Sequence, residues 1–195
     1  MTVVELEAGG GYYTEIMSRV LGENGKIYVQ NPPAFDAFFT PEDVAARYGE
    51  NGERLPNVTK VRANFDDLSA IPSGSADVVT WFLGPHELFY TPRGATEGLG
   101  DAAKSYEEIY RVLKPGGAFY PLDHAAASGA PESTGGDTHR IDPGAVRERA
   151  EAAGLVFDGE SKALRNPYDN YEMGVFDPSV RRKTDRFLHK YVKPK

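Results

Sequence analysis

Short apolar runs alternate along the chain with amphipathic stretches. Val3–Leu6, Lys26–Val29, Asn57–Ala63, Ala76–Phe82 and Ala118–Leu122 read as strands, and Ala76–Phe82 is apolar enough to be buried on both faces. Tyr13, Ile16, Met17, Val20 and Leu21 recur at i, i+3, i+4, i+7 and i+8. That spacing predicts a helix over Tyr12–Leu21 with this face toward the core. Thr40 as cap and Pro41 at the first position predict a second helix to about Tyr48. Ala102, Tyr106, Ile109, Tyr110 and Leu113 predict another from about Asp101, ended by Lys114-Pro115-Gly116-Gly117. Asp142 caps a further helix, with Pro143 at its start and Gly154 just past its end. Leu155–Phe157 and Phe187–Val192 are a sixth and a seventh strand with no helix between them. They predict an antiparallel pair closing a mainly parallel, seven-stranded α/β sheet. The polar, tyrosine-bearing stretch Arg165–Asp185 between them is long enough to be either functional or mobile.

Glu5-Leu6-Glu7-Ala8-Gly9-Gly10-Gly11 joins the first strand to the first helix. Strand, glycine turn and helix form the first half of a nucleotide-binding βαβ unit, in which a ligand approaches bare backbone at a helix N-terminus. The 195 residues predict one domain spanning 1–195. Its 22 basic and 29 acidic residues give a net charge of −7, which argues against a nucleic-acid or anionic-membrane partner. There is no cysteine, hence no disulfide, thiolate metal site or cysteine nucleophile. No apolar run approaches the ~20 residues of a spanning helix, and Glu5 and Glu7 interrupt the only apolar start. A soluble, cytoplasmic protein is expected, or an exported one if an upstream leader is missing from this chain.

These residues together resemble the class I S-adenosylmethionine-dependent methyltransferases. Glu5–Gly11 is similar to their first motif, Ala76-Asp77-Val78-Val79 to the start of their fourth strand, and Val112-Leu113-Lys114-Pro115-Gly116-Gly117 to the turn before their fifth. His139-Arg140-Ile141-Asp142, Val175-Phe176-Asp177-Pro178 and Lys183-Thr184-Asp185 resemble a bacterial subfamily of predicted methyltransferases. The resemblance spans essentially the whole chain and implies a Rossmann-like fold, S-adenosylmethionine as cofactor and a small-molecule acceptor. It implies that Glu5 faces the cofactor's methionine ammonium and that Gly9, Gly10 and Gly11 let the cofactor lie against the turn. It puts Asn31 at the ribose, Asn64 at the adenine amino group with Phe65 against the ring, and Phe82 on the cofactor's other side. The chain departs from the family pattern at Glu7, where glycine is common, and at Asn31 and Asn64, where carboxylates are usual. An amide lacks the charge that roughly doubles such hydrogen bonds. The chain also starts at the first strand, without the helices that usually precede it and cover the pocket. That implies a truncated start, or a lid formed by Arg165–Asp185.

Methyl transfer from a sulfonium depends mainly on alignment, and only an acceptor with a proton to lose needs a base. Ligands of open α/β sheets sit at loops following strands, which singles out His86 after the fourth strand and His124 at the end of the fifth as catalytic candidates. His139, beside Arg140 and Asp142, reads as part of a local polar network. No histidine pair falls at a recognised ligand spacing, so no metal is expected. Tyr12 and Tyr13 are candidates for cation–π contact with the sulfonium, Tyr13 equally for the core. Arg181-Arg182-Lys183 reads as a solvated basic face, and Tyr168, Tyr171 and Phe176 as a lid or a loop anchor. Two other functions compete. In a dinucleotide-dependent oxidoreductase, Thr14 would stand where the third fingerprint glycine belongs. The other is a binding protein that kept the fold and lost the activity.

Overall fold

The computed structural model describes residues 1–195. Seven strands form one sheet: β1 (Thr2–Leu6), β2 (Lys26–Asn31), β3 (Val58–Arg62), β4 (Ala76–Phe82), β5 (Leu113–His124), β6 (Val156–Ser161) and β7 (Arg186–Val192). Their spatial order is β3-β2-β1-β4-β5-β7-β6. All pairs up to β4–β5 are parallel, and β7 runs antiparallel to both β5 and β6. The order reverses between β1 and β4, and at such a switch point the loops diverge and leave a crevice beyond the strand ends.

Helices α1 (Tyr12–Leu21), α2 (Pro41–Tyr48), α3 (Ala102–Val112), α4 (Thr134–Thr138) and α5 (Pro143–Ala152) complete the fold, with 3₁₀ turns at Pro33–Ala37 and Pro85–Phe89. Thr40 and Asp43 cap α2 reciprocally, Asp101 caps α3 through the Lys104 N–H and Asp142 caps α5 through the Gly144 N–H. The main core fills one face of the sheet, where Val79, Trp81 and Phe119 pack with Tyr106, Ile109, Phe187 and Tyr191. Val3, Ala8, Ile27 and Val29 form a smaller core under α1.

The inward face of α1 is only partly the one its apolar spacing predicts: Met17 and Leu21 pack against the smaller core as expected, and the other three positions do not. Thr14 and Ser18 are its buried residues, whereas Tyr12, Tyr13, Ile16 and Val20 are exposed. Two small hydroxyl residues can face inward because each has a partner: Thr14 donates to Glu5 at 2.5 Å and Ser18 to Asn57 at 2.5 Å. Tyr13 therefore lies outside the core, edge-on to Phe82 with ring centroids 5.0 Å apart. Lys114–Gly117 also differs from expectation. It belongs to β5, because Gly116 N–H donates to Lys193 O and Lys193 N–H to Gly117 O, with a register shift opposite Ala76–Val78.

The long segment before β7 is anchored. Asp185 accepts from Arg165, the Asn166 N–H and the Tyr171 hydroxyl. Asp169 takes both ends of the fully buried Arg140 guanidinium, at 2.8 and 3.1 Å. Tyr171 is thus a loop anchor, Tyr168 is exposed to solvent, and Phe176 packs edge-on against His139 with centroids 5.0 Å apart.

Candidate active site

The glycine turn is built by its backbone. Gly9 and Gly11 have φ of 54° and 78°, and Gly11 closes the turn as the left-handed N-cap of α1. Glu7 adopts φ 53° without being glycine, a strained backbone state of the kind that concentrates at functional sites. Asn31, at the end of β2, holds the turn from the side. Its Oδ1 accepts the Gly9 N–H at 2.9 Å and its Nδ2 donates to Gly9 O at 3.2 Å.

Beyond the turn lies a cavity of about 580 Å³, whose walls include Gly9, Gly10, Asn31, Phe39, Asp43 and Lys60. A Cβ on Gly10 would come within 3.2 Å of Phe39, so bare backbone keeps that wall open. These features fit an adenosine-bearing ligand laid against the turn. Of the residues the family resemblance assigns to the cofactor, Gly9, Gly10 and Asn31 line this cavity. Gly11 sits behind it, under α2, where a Cβ would meet the Tyr48 hydroxyl at 2.6 Å. Asn64 is half-buried just past β3, and Phe82 is half-buried beside Tyr13. Phe65 is a correction: it has no exposed surface and packs on Trp81 with centroids 4.7 Å apart, so its ring belongs to the core and has no free face for an adenine.

Glu5 is also buried, its carboxylate turned to Thr14 rather than to the cavity. Burial pushes its pKa up to about 7 against the opposing pull of the Thr14 hydrogen bond. An acid raised in this way contributes stability that is complete below its ordinary value near 4.5 and is lost as pH rises toward 7. In Glu5→Gln, stability relative to the parent is expected to improve by on the order of 3 kcal/mol between pH 4.5 and pH 8. Urea denaturation at the two pH values measures it, and parallel pH profiles would refute the buried, uncharged Glu5.

The second half of the site lies one strand over, where β4 and β5 end. Gly84-Pro85 opens the 3₁₀ turn that carries His86 and Glu87, and a Cβ on Gly84 would collide with the Glu7 carboxylate and the Trp81 indole. His86 is buried, and its Nδ1 contacts both oxygens of Asp123 at 2.9 and 3.0 Å. Asp123 has no exposed surface and also accepts the His86 backbone N–H at 2.8 Å. With Nδ1 donating to this carboxylate, Nε2 points to Glu87 Oε1 at 3.3 Å and His139 Nδ1 at 3.2 Å.

His139 arrives from the far end of α4, in a left-handed conformation at φ 54°. The two glycines of α4 let it lie directly on the Pro85–Phe89 turn, since a Cβ on Gly135 would run into the His86 carbonyl. Sequence reading of His139 as a purely local network missed this contact. The usable signal was Gly135-Gly136 three residues before a histidine, a pattern that marks close backbone approach only once the packing partner is known.

Electrostatics follow from this packing. Burial works against a charged His86, but Asp123, Glu87 and Glu7 outweigh it and raise the group to about 10. Burial likewise opposes a charged Glu87, yet hydrogen bonds from His139 and His86 bring it down to about 2. Glu7, against the Trp81 indole N–H at 3.2 Å, is pushed well above the carboxylate range by burial and then by Glu87. Burial lowers His124 to about 4. Its ring centroid lies 6.4 Å from that of His86, and its Nδ1 is 2.7 Å from the Thr184 hydroxyl. The sequence expectation of histidines titrating near neutrality is thus corrected for His86 and His124, in opposite directions.

The methyltransferase domain family matches residues 5–120 of the chain. No curated protein matches it. Among solved structures, an S-adenosylmethionine-dependent methyltransferase from Aquifex aeolicus superposes with a TM-score of 0.65 at 19% identity, over 98% of this chain and 81% of its own. An arsenic(III) S-adenosylmethionine methyltransferase from Chlamydomonas reinhardtii gives 0.63 at 17% identity, covering 100% and 64%. The [4+2]-cyclase SpnF gives 0.67 at 14%, covering 99% and 74%. At these identities the neighbours establish the fold, and the family match carries the assignment. A glycine turn at the β1–β4 switch point and a match across more than half the sequence lead to one conclusion: the chain belongs to the methyltransferase domain family, enzymes whose methyl donor is S-adenosylmethionine.

Proposed function

We propose that the protein methylates a small-molecule acceptor seated over the ends of β4 and β5, with the donor lying along Gly9–Gly11. S-Adenosylmethionine, when bound, supplies an electrophilic methyl on a sulfonium. The chain's own residues do the rest. Gly9 and Gly10 accept the donor against bare backbone, and Asn64 is the polar residue past β3 that would meet the adenine. Tyr13 and Phe82 form an aromatic edge between the turn and the acceptor side. His86 then holds the acceptor's exchangeable group, its ring fixed by Asp123. The observation that carries this reading is the buried Asp123–His86 pair, which joins the end of β5 to the turn after β4, the strand beside β1 and its glycine turn. His124, tied to Thr184, borders the same region and is assigned no proton transfer.

Calorimetry with S-adenosylmethionine, S-adenosylhomocysteine and NAD tests the donor, and a screen of small O–H, N–H and S–H acceptors tests the transfer. Binding of NAD in place of the sulfonium would overturn the reading. Tight donor binding with no turnover across the screen would favour a binding protein.

Asn31 gives a sharper test of the donor site. A family-like ribose contact predicts tighter binding for Asn31→Asp. The bond from Nδ2 to Gly9 O predicts the reverse, because a carboxylate cannot donate and would face that carbonyl. Donor affinity in Asn31→Asp is expected to fall by about 5–30-fold, the equivalent of one or two kcal/mol. A gain in affinity by calorimetry would show that Asn31 is released from the turn when the donor binds.

A further inference from the structure

Three side chains distant in sequence converge beyond the β4 end. His86 Nε2, Glu87 Oε1 and His139 Nδ1 form a triangle with edges of 3.2, 3.3 and 3.5 Å. For a tetrahedral ion with bonds of about 2.05 Å to nitrogen and oxygen, neighbouring ligand atoms stand roughly 3.3 Å apart. Six-coordinate geometry with the same bonds would bring them to about 2.9 Å, closer than any edge here. We propose that His86, Glu87 and His139 bind one divalent cation of the zinc type, in a three-ligand site whose fourth position is left for water or the acceptor.

Four observations support the site. The donor set is two imidazoles and a carboxylate, which suits zinc and related ions. The orientation of His86 agrees: Asp123 takes its Nδ1 proton, so Nε2 is the nitrogen that faces the centre and would give up its proton to an incoming cation. A carboxylate behind a ligating histidine is the usual support of such sites. Glu87 Oε2 is buried and has no hydrogen-bond partner, an orphaned acceptor that a nearby cation would compensate. Finally, the aromatic rings of Tyr90 and Phe176 pack against His139, with centroids 5.2 and 5.0 Å away, and hold its ring in place.

This inference rests on the acceptor site proposed above and refines it. With an ion in place, the acceptor meets the cation that His86 holds rather than His86 itself. An acceptor with an ionisable oxygen, nitrogen or sulfur is the class that the open position would take.

The test uses the untagged full-length chain, stripped with chelator and titrated with Zn²⁺ alone and, separately, with Co²⁺ alone. One equivalent of Zn²⁺ per chain and an intense visible Co²⁺ spectrum of tetrahedral type are expected. Asp123→Asn should weaken Zn²⁺ binding by about 10–100-fold while leaving the ligands in place. His139→Ala should lose the site. If that variant does not fold by circular dichroism, Glu87→Gln serves instead. Absence of stoichiometric uptake by the parent, a weak octahedral Co²⁺ spectrum, or unchanged affinity in the folded ligand variant overturns the proposal. The titration needs neither donor nor acceptor. Its failure is therefore read separately from a failure of the methyl-transfer reading, which the calorimetry and acceptor screen decide.

Discussion

Arg140→Ala is expected to destabilise the protein by about 3–5 kcal/mol, the range for removing one partner of a buried ion pair. The Arg140 guanidinium has no exposed surface, and besides both oxygens of Asp169 it donates to Ala125 O and Met173 O, each at 2.9 Å. Its removal leaves Asp169 buried and charged, and frees two carbonyls that water cannot easily reach. For a chain of this size the loss corresponds to a fall in Tm of roughly 6–20 °C. The double variant Arg140→Met, Asp169→Leu is expected to recover only part of it: no unpaired charge then remains inside, but the Ala125 and Met173 carbonyls and the Asp185 N–H, which donates to Asp169 at 2.6 Å, still lack partners. Thermal or urea denaturation of the two variants beside the parent decides the matter. A single variant within about 1 kcal/mol of the parent would mean that the Asp169 loop opens to water at little cost. Since Arg140 follows His139 directly and ties down the loop bearing Phe176, the destabilised variant should lose activity as well.

Replacing His86 by Gln is expected to lower turnover by roughly 10²–10³-fold, the usual loss when a buried, preorganised polar group at the reacting centre is removed. Glutamine can still donate to Asp123 but carries no ring nitrogen to reach Glu87 and His139. Donor affinity should change little, because His86 does not line the cavity beside Gly9 and Gly10. Steady-state rates with the true acceptor, with calorimetry of the donor alongside, separate the two effects. Turnover at the parent rate would reduce His86 to a structural residue of the Pro85–Phe89 turn. The same loss is expected whether Nε2 meets the acceptor or an ion, so the zinc titration, not this rate, chooses between them.

The sequence by itself determined the alternation of strands and helices, the glycine turn, the capped helices and the antiparallel closing strand. Each is written in contiguous residues: a buried strand is a short apolar run, and a cap is one polar side chain at a fixed offset from a helix. It also pointed to His86, through its place after a strand that could be located. What only the tertiary structure decided depends on groups far apart in the chain. Thr14 and Ser18 share the inward face of α1 with Met17 and Leu21 because Glu5 and Asn57 were there to accept their hydroxyl protons. Apolar spacing carries no information about such partners. Asn31 turned out to brace Gly9, and Phe65 to pack on Trp81, since a motif position specifies a place along a strand and not the direction of a side chain. The convergence of His86 and Glu87 with His139, 53 residues away from His86, was illegible for the same reason. It arises where β4 and β5 end side by side and two glycines let α4 lie against the turn between them, and no local pattern encodes that meeting.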